Sequence, residues 1–178
     1  MPATSSDPPG TIVTMAFKAS GGVPNNPAYP AVVARRVLDG TPTPNDVETL
    51  LVSNGWRGTW VWRVFDYHHF HPDAFEVLAI ATGGATLMLG GPQGKIVDVT
   101  AGDVLLLPPG VGHKQCAQDA DFRIVGAYPP GQEAYSTVRG DEGYDDATIE
   151  QIACVPVPET DPVRGGAGAM LAALKGGR

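Results

Sequence analysis

The chain contains four histidines, and three of them, His68, His69 and His71, fall within four residues of one another. A neutral imidazole offers a lone pair suited to a divalent transition metal. In a strand, side chains two residues apart share a face, about 6.6–6.8 Å apart along the chain. His69 and His71 therefore converge on one point, while His68 turns the other way. Glu76 follows just beyond the turn-forming Pro72-Asp73 and sets a carboxylate beside the imidazoles. The remaining imidazole, His113, directly follows the turn sequence PPGVG, which can aim it from a different strand. The expected site is one divalent ion (Fe, Mn, Ni or Zn) held by His69, His71, Glu76 and His113. Four protein ligands leave up to two positions open at a six-coordinate ion, where substrate and water or O2 can bind. Such a site serves oxygenation, decarboxylation or isomerisation of a small oxygen-bearing molecule.

Further candidates follow from the same alternation. If WVWRVFDYHHFH is one regular strand, Arg63, Phe65 and Tyr67 share the face of His69 and His71. Gln115, two residues after His113, also points inward. Arg63, Tyr67 and Gln115 are the candidate catalytic residues, for orienting substrate or moving a proton. Trp56, Trp60 and Trp62 read as core or interface fillers, and Cys116 as a small buried hydrophobe.

The elements that must position these groups are mostly strands. Between Gly58 and Tyr128, short β-rich runs (EVLAIATG, ATLMLGG, KIVDVTAG, DVLLLPPG, DFRIVGAYP) are separated by Gly, Pro or Asp. Their close spacing predicts antiparallel hairpins, with no helix between them. Leu78, Ile80, Leu87, Leu89, Val104 and Leu106 are the expected barrel wall. One helix is signalled by Thr43 as N-cap, Pro44 as first residue and Asn54-Gly55 as stop. Residues 31–38 predict a strand or a short helix; 145–153 and 169–175 predict short helices.

His69-Phe70-His71, four residues, Glu76, six residues and Gly83 together resemble the first motif of the cupins. Gly102, five residues, Pro108-Pro109-Gly110, two residues and His113 resemble the core of the second. Two positions depart: Arg63 stands where the family often has glycine, and Ala117 where it often has asparagine. Six stretches (VPNNP, NGWRGTW, DYHHFH, GVGHK, GAYPPGQ and PETDPV) are similar to a narrower group, the YjlB-like cupins, which has no settled reaction. The resemblance implies an all-β fold, a single cupin (double-stranded β-helix, jelly-roll) barrel with a few short helices at its N- and C-terminal sides. Read along its length, the chain is expected to comprise a flexible segment 1–20, one cupin domain 21–163 with the motifs at 69–83 and 102–113, and a tail or short helix at 164–178. The resemblance also implies a homodimer.

Composition narrows the partners. The 178 residues carry a net charge of -7 without a basic cluster, against nucleic acid or an anionic membrane. Cys116 and Cys154 stand far apart without a CxxC pair, which fits a reducing, cytoplasmic setting. The first fourteen residues have neither a cationic start nor an apolar run of signal-peptide length, and Met15 is an alternative start. Two functions follow: a metal-dependent enzyme (dioxygenase, decarboxylase or isomerase type) acting on a small molecule, or a non-catalytic metal-containing module that binds or senses one.

Overall fold

Between Gly58 and Tyr128, glycine, proline and aspartate cut the chain into short runs, and the folded protein uses them as strands. The computed structural model describes residues 7–176. Its elements run β1 (Ile12–Met15), β2 (Ala31–Ala34), α1 (Pro44–Ser53), β3 (Arg57–Trp62), β4 (His69–Phe70), β5 (Glu76–Thr82), β6 (Gly84–Leu89) and β7 (Lys95–Thr100). They continue β8 (Val104–Leu107), β9 (His113–Gln118), β10 (Arg123–Tyr128), β11 (Val138–Arg139), α2 (Asp146–Cys154) and α3 (Ala169–Gly176). The strands form two antiparallel sheets, ordered β1-β2-β8-β5-β10-β3 and β11-β4-β9-β6-β7. From β3 onward the chain passes repeatedly from one sheet to the other, the winding of a jelly roll.

Residue alternation builds two cores. Ala31, Val33, Leu78, Ile80, Leu105 and Ile124 pack with Leu87, Leu89, Val97 and Val99 of the five-stranded sheet. Their neighbours Val32, Val77, Ala79, Val104, Leu106 and Val125 pack with Val47 and Leu51 of α1 and with Met170, Leu171 and Leu174 of α3. Burial on both faces explains why AVVA and VLLL are apolar without alternation. It also divides the expected wall: Leu78, Ile80, Leu87 and Leu89 lie between the sheets, whereas Val104 and Leu106 face the helices. Each such side chain contributes about 1.5–3 kcal/mol relative to exposure. Helix α1 starts and stops as its sequence predicts: Thr43 and Asp46 form a capping box, Pro44 opens the first turn and Asn54 is the C-cap.

Several expectations change. Within the segment expected to be flexible, Ile12–Met15 forms an edge strand, in register from Ile12↔Ala34 to Met15↔Ala31. Residues 1–6 of that segment lie outside the described residues. The 31–38 run is a strand over Ala31–Ala34, and the terminal helices span Asp146–Cys154 and Ala169–Gly176. Trp60 to His71 is not one strand. β3 ends at Trp62, β4 takes up only His69-Phe70, and the two belong to different sheets, so residues 63–68 must cross between them. Cys116 is exposed rather than buried, where the β6–β9 register shifts beside it.

Candidate metal centre

His69 and His113 are direct cross-strand partners of β4 and β9, and their rings lie 4.0 Å apart between centroids. The ring of His71, just past β4, stands 5.6 Å from each of the others. In each case Nδ1 meets a backbone carbonyl: His69 that of Tyr67 at 3.2 Å, His71 that of Ser136 at 2.7 Å and His113 that of Val111 at 3.1 Å. A carbonyl only accepts, so each Nδ1 carries a proton, and Nε2 is the nitrogen that offers a lone pair once the ring is neutral. All three side chains are buried, and their ligating atoms lie within 4.8 Å of one another.

Glu76 reaches the same point from the other sheet. Its Oε2 lies 3.4 Å from Nε2 of His71 and 3.2 Å from Nε2 of His113. Its Oε1 accepts a hydrogen bond from the Tyr128 hydroxyl at 2.8 Å, and that oxygen accepts one from Trp60 Nε1 at 2.8 Å. One carboxylate oxygen is thus anchored while Oε2, fully buried, has no hydrogen-bond partner. An orphaned buried carboxylate oxygen is costly unless a cation completes it. Three convergent lone pairs and that oxygen supply the donor set a divalent transition metal takes, so the residues present fit the ion.

The charges of the metal-free cluster are strongly coupled. Burial, then the neighbouring His113 and His71, push the His69 pKa down to about 2. Burial also disfavours a charged His71, but the Glu76 carboxylate outweighs it and raises that imidazole above its ordinary value. Burial pushes Glu76 up, yet the His71 and His113 imidazoles overcome it and hold the carboxyl well below its ordinary range. Tyr128 is raised by burial and by the Glu76 charge, so its hydroxyl stays protonated and donates.

Local sequence explains the positioning of His113. Gly110 has φ +85°, and an added Cβ would sit 2.7 Å from the Asn25 carbonyl oxygen, so the PPGVG turn requires glycine there. Asn25 holds this turn: its amide donates to the Gly90 carbonyl at 3.0 Å and its Oδ1 accepts from Gly112 N–H at 3.1 Å. Asn26 adds a bond to the Pro109 carbonyl at 3.0 Å. The VPNNP stretch is therefore the brace beneath His113. His71 is braced by residues 136–140: Asp73 accepts from the Ser136 N–H at 2.9 Å and hydroxyl at 2.7 Å, Gly140 N–H donates to the His68 carbonyl at 2.7 Å, and β11 pairs with β4.

Above the cluster opens a cavity of about 140 Å³ lined by His69, His71, Glu76 and His113. Of the three candidate catalytic residues, Arg63 lines it, and Tyr67 and Gln115 do not. The parity argument fails for Tyr67 because residues 63–68 have left strand geometry. Its ring stacks on Phe65 at 4.9 Å, with the Arg139 guanidinium 3.9 Å from its centre. Gln115 stands opposite Leu87, with a buried side-chain oxygen that makes no hydrogen bond. His68 turns away as expected, into a separate depression shared with Lys114 and Arg139. Sequence reasoning missed Trp60, Tyr128, Tyr135 and Thr137, which also line the cavity. The alternation Ile124, Gly126, Tyr128 carried the signal for Tyr128. Gly126 is what lets the Trp60 indole cross β10, since a methyl there would collide with the ring.

Two facing antiparallel sheets, with three imidazoles and one carboxylate gathered where His69 of one strand meets His113 of another, define a cupin. The profile of the AraC-like ligand binding domain matches residues 55–177, more than half of the chain, and the chain belongs to that family. It is 34% identical over 152 residues to the uncharacterized protein YjlB of Bacillus subtilis (strain 168), covering 85% of this chain and 90% of that one. Among solved structures, it is similar to an uncharacterized conserved protein with a double-stranded β-helix domain from Klebsiella pneumoniae (TM-score 0.38, 22% identity, 45% of this chain and 72% of that one). It is also similar to acireductone dioxygenase from Bacillus anthracis with a cadmium ion in its active centre (TM-score 0.36, 19% identity, 50% of this chain and 60% of that one).

Proposed function

We propose that this protein is a metal-dependent cupin enzyme acting on a small oxygen-bearing molecule, of dioxygenase type first and isomerase or decarboxylase type second. The observation that carries the reading is the buried, unpartnered Oε2 of Glu76 facing two imidazole Nε2 atoms at the bottom of a cavity. His69, His71, His113 and Glu76 would hold one divalent transition metal, which when bound supplies Lewis acidity and a template for chelation. The rest is the work of the chain itself. The Tyr128 hydroxyl fixes Glu76, the three backbone carbonyls fix the imidazole tautomers, and the aromatic wall limits water around the reacting group. A second copy of the chain as partner and a reducing, cytoplasmic setting go with this reading; Cys116 and Cys154 are both free and exposed.

The test is elemental analysis of natively purified protein beside His71→Ala, followed by oxygen uptake of the Fe(II)-loaded protein with diketones, phenols and hydroxy acids. Stoichiometric metal in the parent, its loss in the variant and uptake with one substrate class support the reading; an empty parent sinks it. A second reading, a metal-containing module that binds or senses a small ligand without turnover, is favoured by the ligand-binding description of the family. Saturable ligand binding with silence in oxygenase, isomerase and decarboxylase assays would decide for it.

A further inference from the structure

Two aromatic walls flank the imidazole cluster. On one side the rings of Trp62 and Phe65 meet edge to face at 5.6 Å, and Phe65 meets His69 in the same way at 5.0 Å. On the other, Tyr135 lies edge-on to His71 at 4.8 Å and stacks on Tyr128 at 4.1 Å. All four aromatic residues line the cavity, so aromatic rings border the space above the cluster beside His69 and beside His71.

The charges at this cavity are equally uneven. Arg63 is the one cationic side chain besides the histidines that lines it. Among the described residues no carboxylate lies within ion-pair distance of its guanidinium. A free guanidinium at the edge of an apolar cavity recognises a planar anion better than a neutral group. Trp62 is 51% exposed at the same edge, an unusual position for a large aromatic, with its ring edge to face against Phe65. Both residues sit where β3 ends and the chain begins crossing to the other sheet: Trp62 is the last residue of β3, paired with Ile124 of β10, and Arg63 is the first of the crossing.

We infer that the ligand of this site is a small planar, conjugated carboxylate. Its flat body lies between the Trp62–Phe65 wall and the Tyr135–Tyr128 wall, and its negative charge is met by Arg63. This rests on the metal reading above and names the substrate class for it.

The probes are benzoate, cyclohexanecarboxylate and benzamide, titrated calorimetrically into Zn(II)-loaded protein whose metal content is measured on the same preparation. Benzoate matches the first competitor in charge but not flatness, and the second in flatness but not charge. The expected result is benzoate binding about tenfold tighter than either, the scale of one aromatic contact or one charge-assisted hydrogen bond. Trp62→Ala should narrow the gap between benzoate and cyclohexanecarboxylate. Arg63→Gln should weaken benzoate about tenfold and leave benzamide unchanged. Equal affinity for the flat and puckered acids, no loss in Arg63→Gln, or no benzoate binding by fully zinc-loaded protein would each overturn the inference while leaving the metal centre intact. Protein that takes up no zinc would instead overturn the reading beneath it.

Discussion

Metal binding by this cluster should be coupled to proton release, and Glu76 sets where. In the metal-free protein the Glu76 carboxylate, 3.4 Å from Nε2 of His71, raises that imidazole above its ordinary value of 6.5. His69, pushed down to about 2, is already neutral across the working range. At pH 6, therefore, His71 must lose its proton before its Nε2 can bind a cation. Each metal ion should displace at least one proton there, and affinity should climb at least tenfold, about 1.4 kcal/mol, per pH unit until the raised pKa is passed. The perturbation is Glu76→Gln, which keeps the shape but removes the charge that favours protonated His71. The variant should bind metal more weakly, yet its affinity should level off at lower pH than in the parent. Calorimetric titration with Zn(II) in buffers of different ionisation enthalpy counts the protons directly. A count of zero at pH 6, or a levelling-off that moves to higher pH in Glu76→Gln, would refute the coupling.

Other expectations concern the shell and the frame. Tyr128→Phe removes the hydroxyl that anchors Glu76 Oε1 and should weaken Zn(II) binding about 10–100-fold, measured by competition with a chromogenic chelator; Gly126→Ala should act in the same direction by displacing the Trp60 indole. The chelator-treated protein should be most stable near pH 6.5. Below that, unfolded His69 takes a proton that the folded one refuses until about pH 2, so stability falls by about 1.4 kcal/mol per pH unit, and more once Glu76 is forced to protonate. Above it, the contribution of the raised His71 is lost as pH rises through its folded pKa; urea unfolding across pH 5–8 should trace this dome, and a flat profile would contradict it. Asp161 accepts from the backbone N–H groups of Val163, Arg164, Met170 and Leu171 at 2.9–3.1 Å while fully buried, so Asp161→Ala should cost at least about 3 kcal/mol in denaturant unfolding.

The convergence of the three histidines was legible in the sequence because its information is local and periodic. His69 and His71 obey the alternation of a short strand, and Gly110 announces the turn that delivers His113. Both sheets follow from runs cut by turn residues, and α1 from its capping box. The reading failed where the chain changes sheets. Parity cannot be counted across residues 63–68, so Tyr67 was placed in a cavity whose lining it does not join, and the intervening Arg63 was reached on a wrong premise. Tyr128 and Tyr135 were missed for a different reason. Alternation from Ile124 turns Tyr128 inward, but its bond to Glu76, like the contact of Tyr135 with His71, spans more than fifty positions of sequence, and no spacing rule names such partners. Ile12–Met15 shows the same limit, since four residues of edge strand become visible only once β2 is there to pair with them.

The narrowness of β4 has a consequence for how the protein is kept together. Two of the histidines depend on a two-residue strand, latched on one side by the equally short β11 and by the Asp73–Ser136 contacts. Such a latch has little hydrophobic burial of its own, so an ion held by the imidazoles should add a large share of its stability. Cation uptake should therefore slow amide exchange and blunt protease cleavage along 136–140, while strands deep in the six-stranded sheet stay indifferent. In the cell this would let metal supply regulate the lifetime of the polypeptide as well as its chemistry.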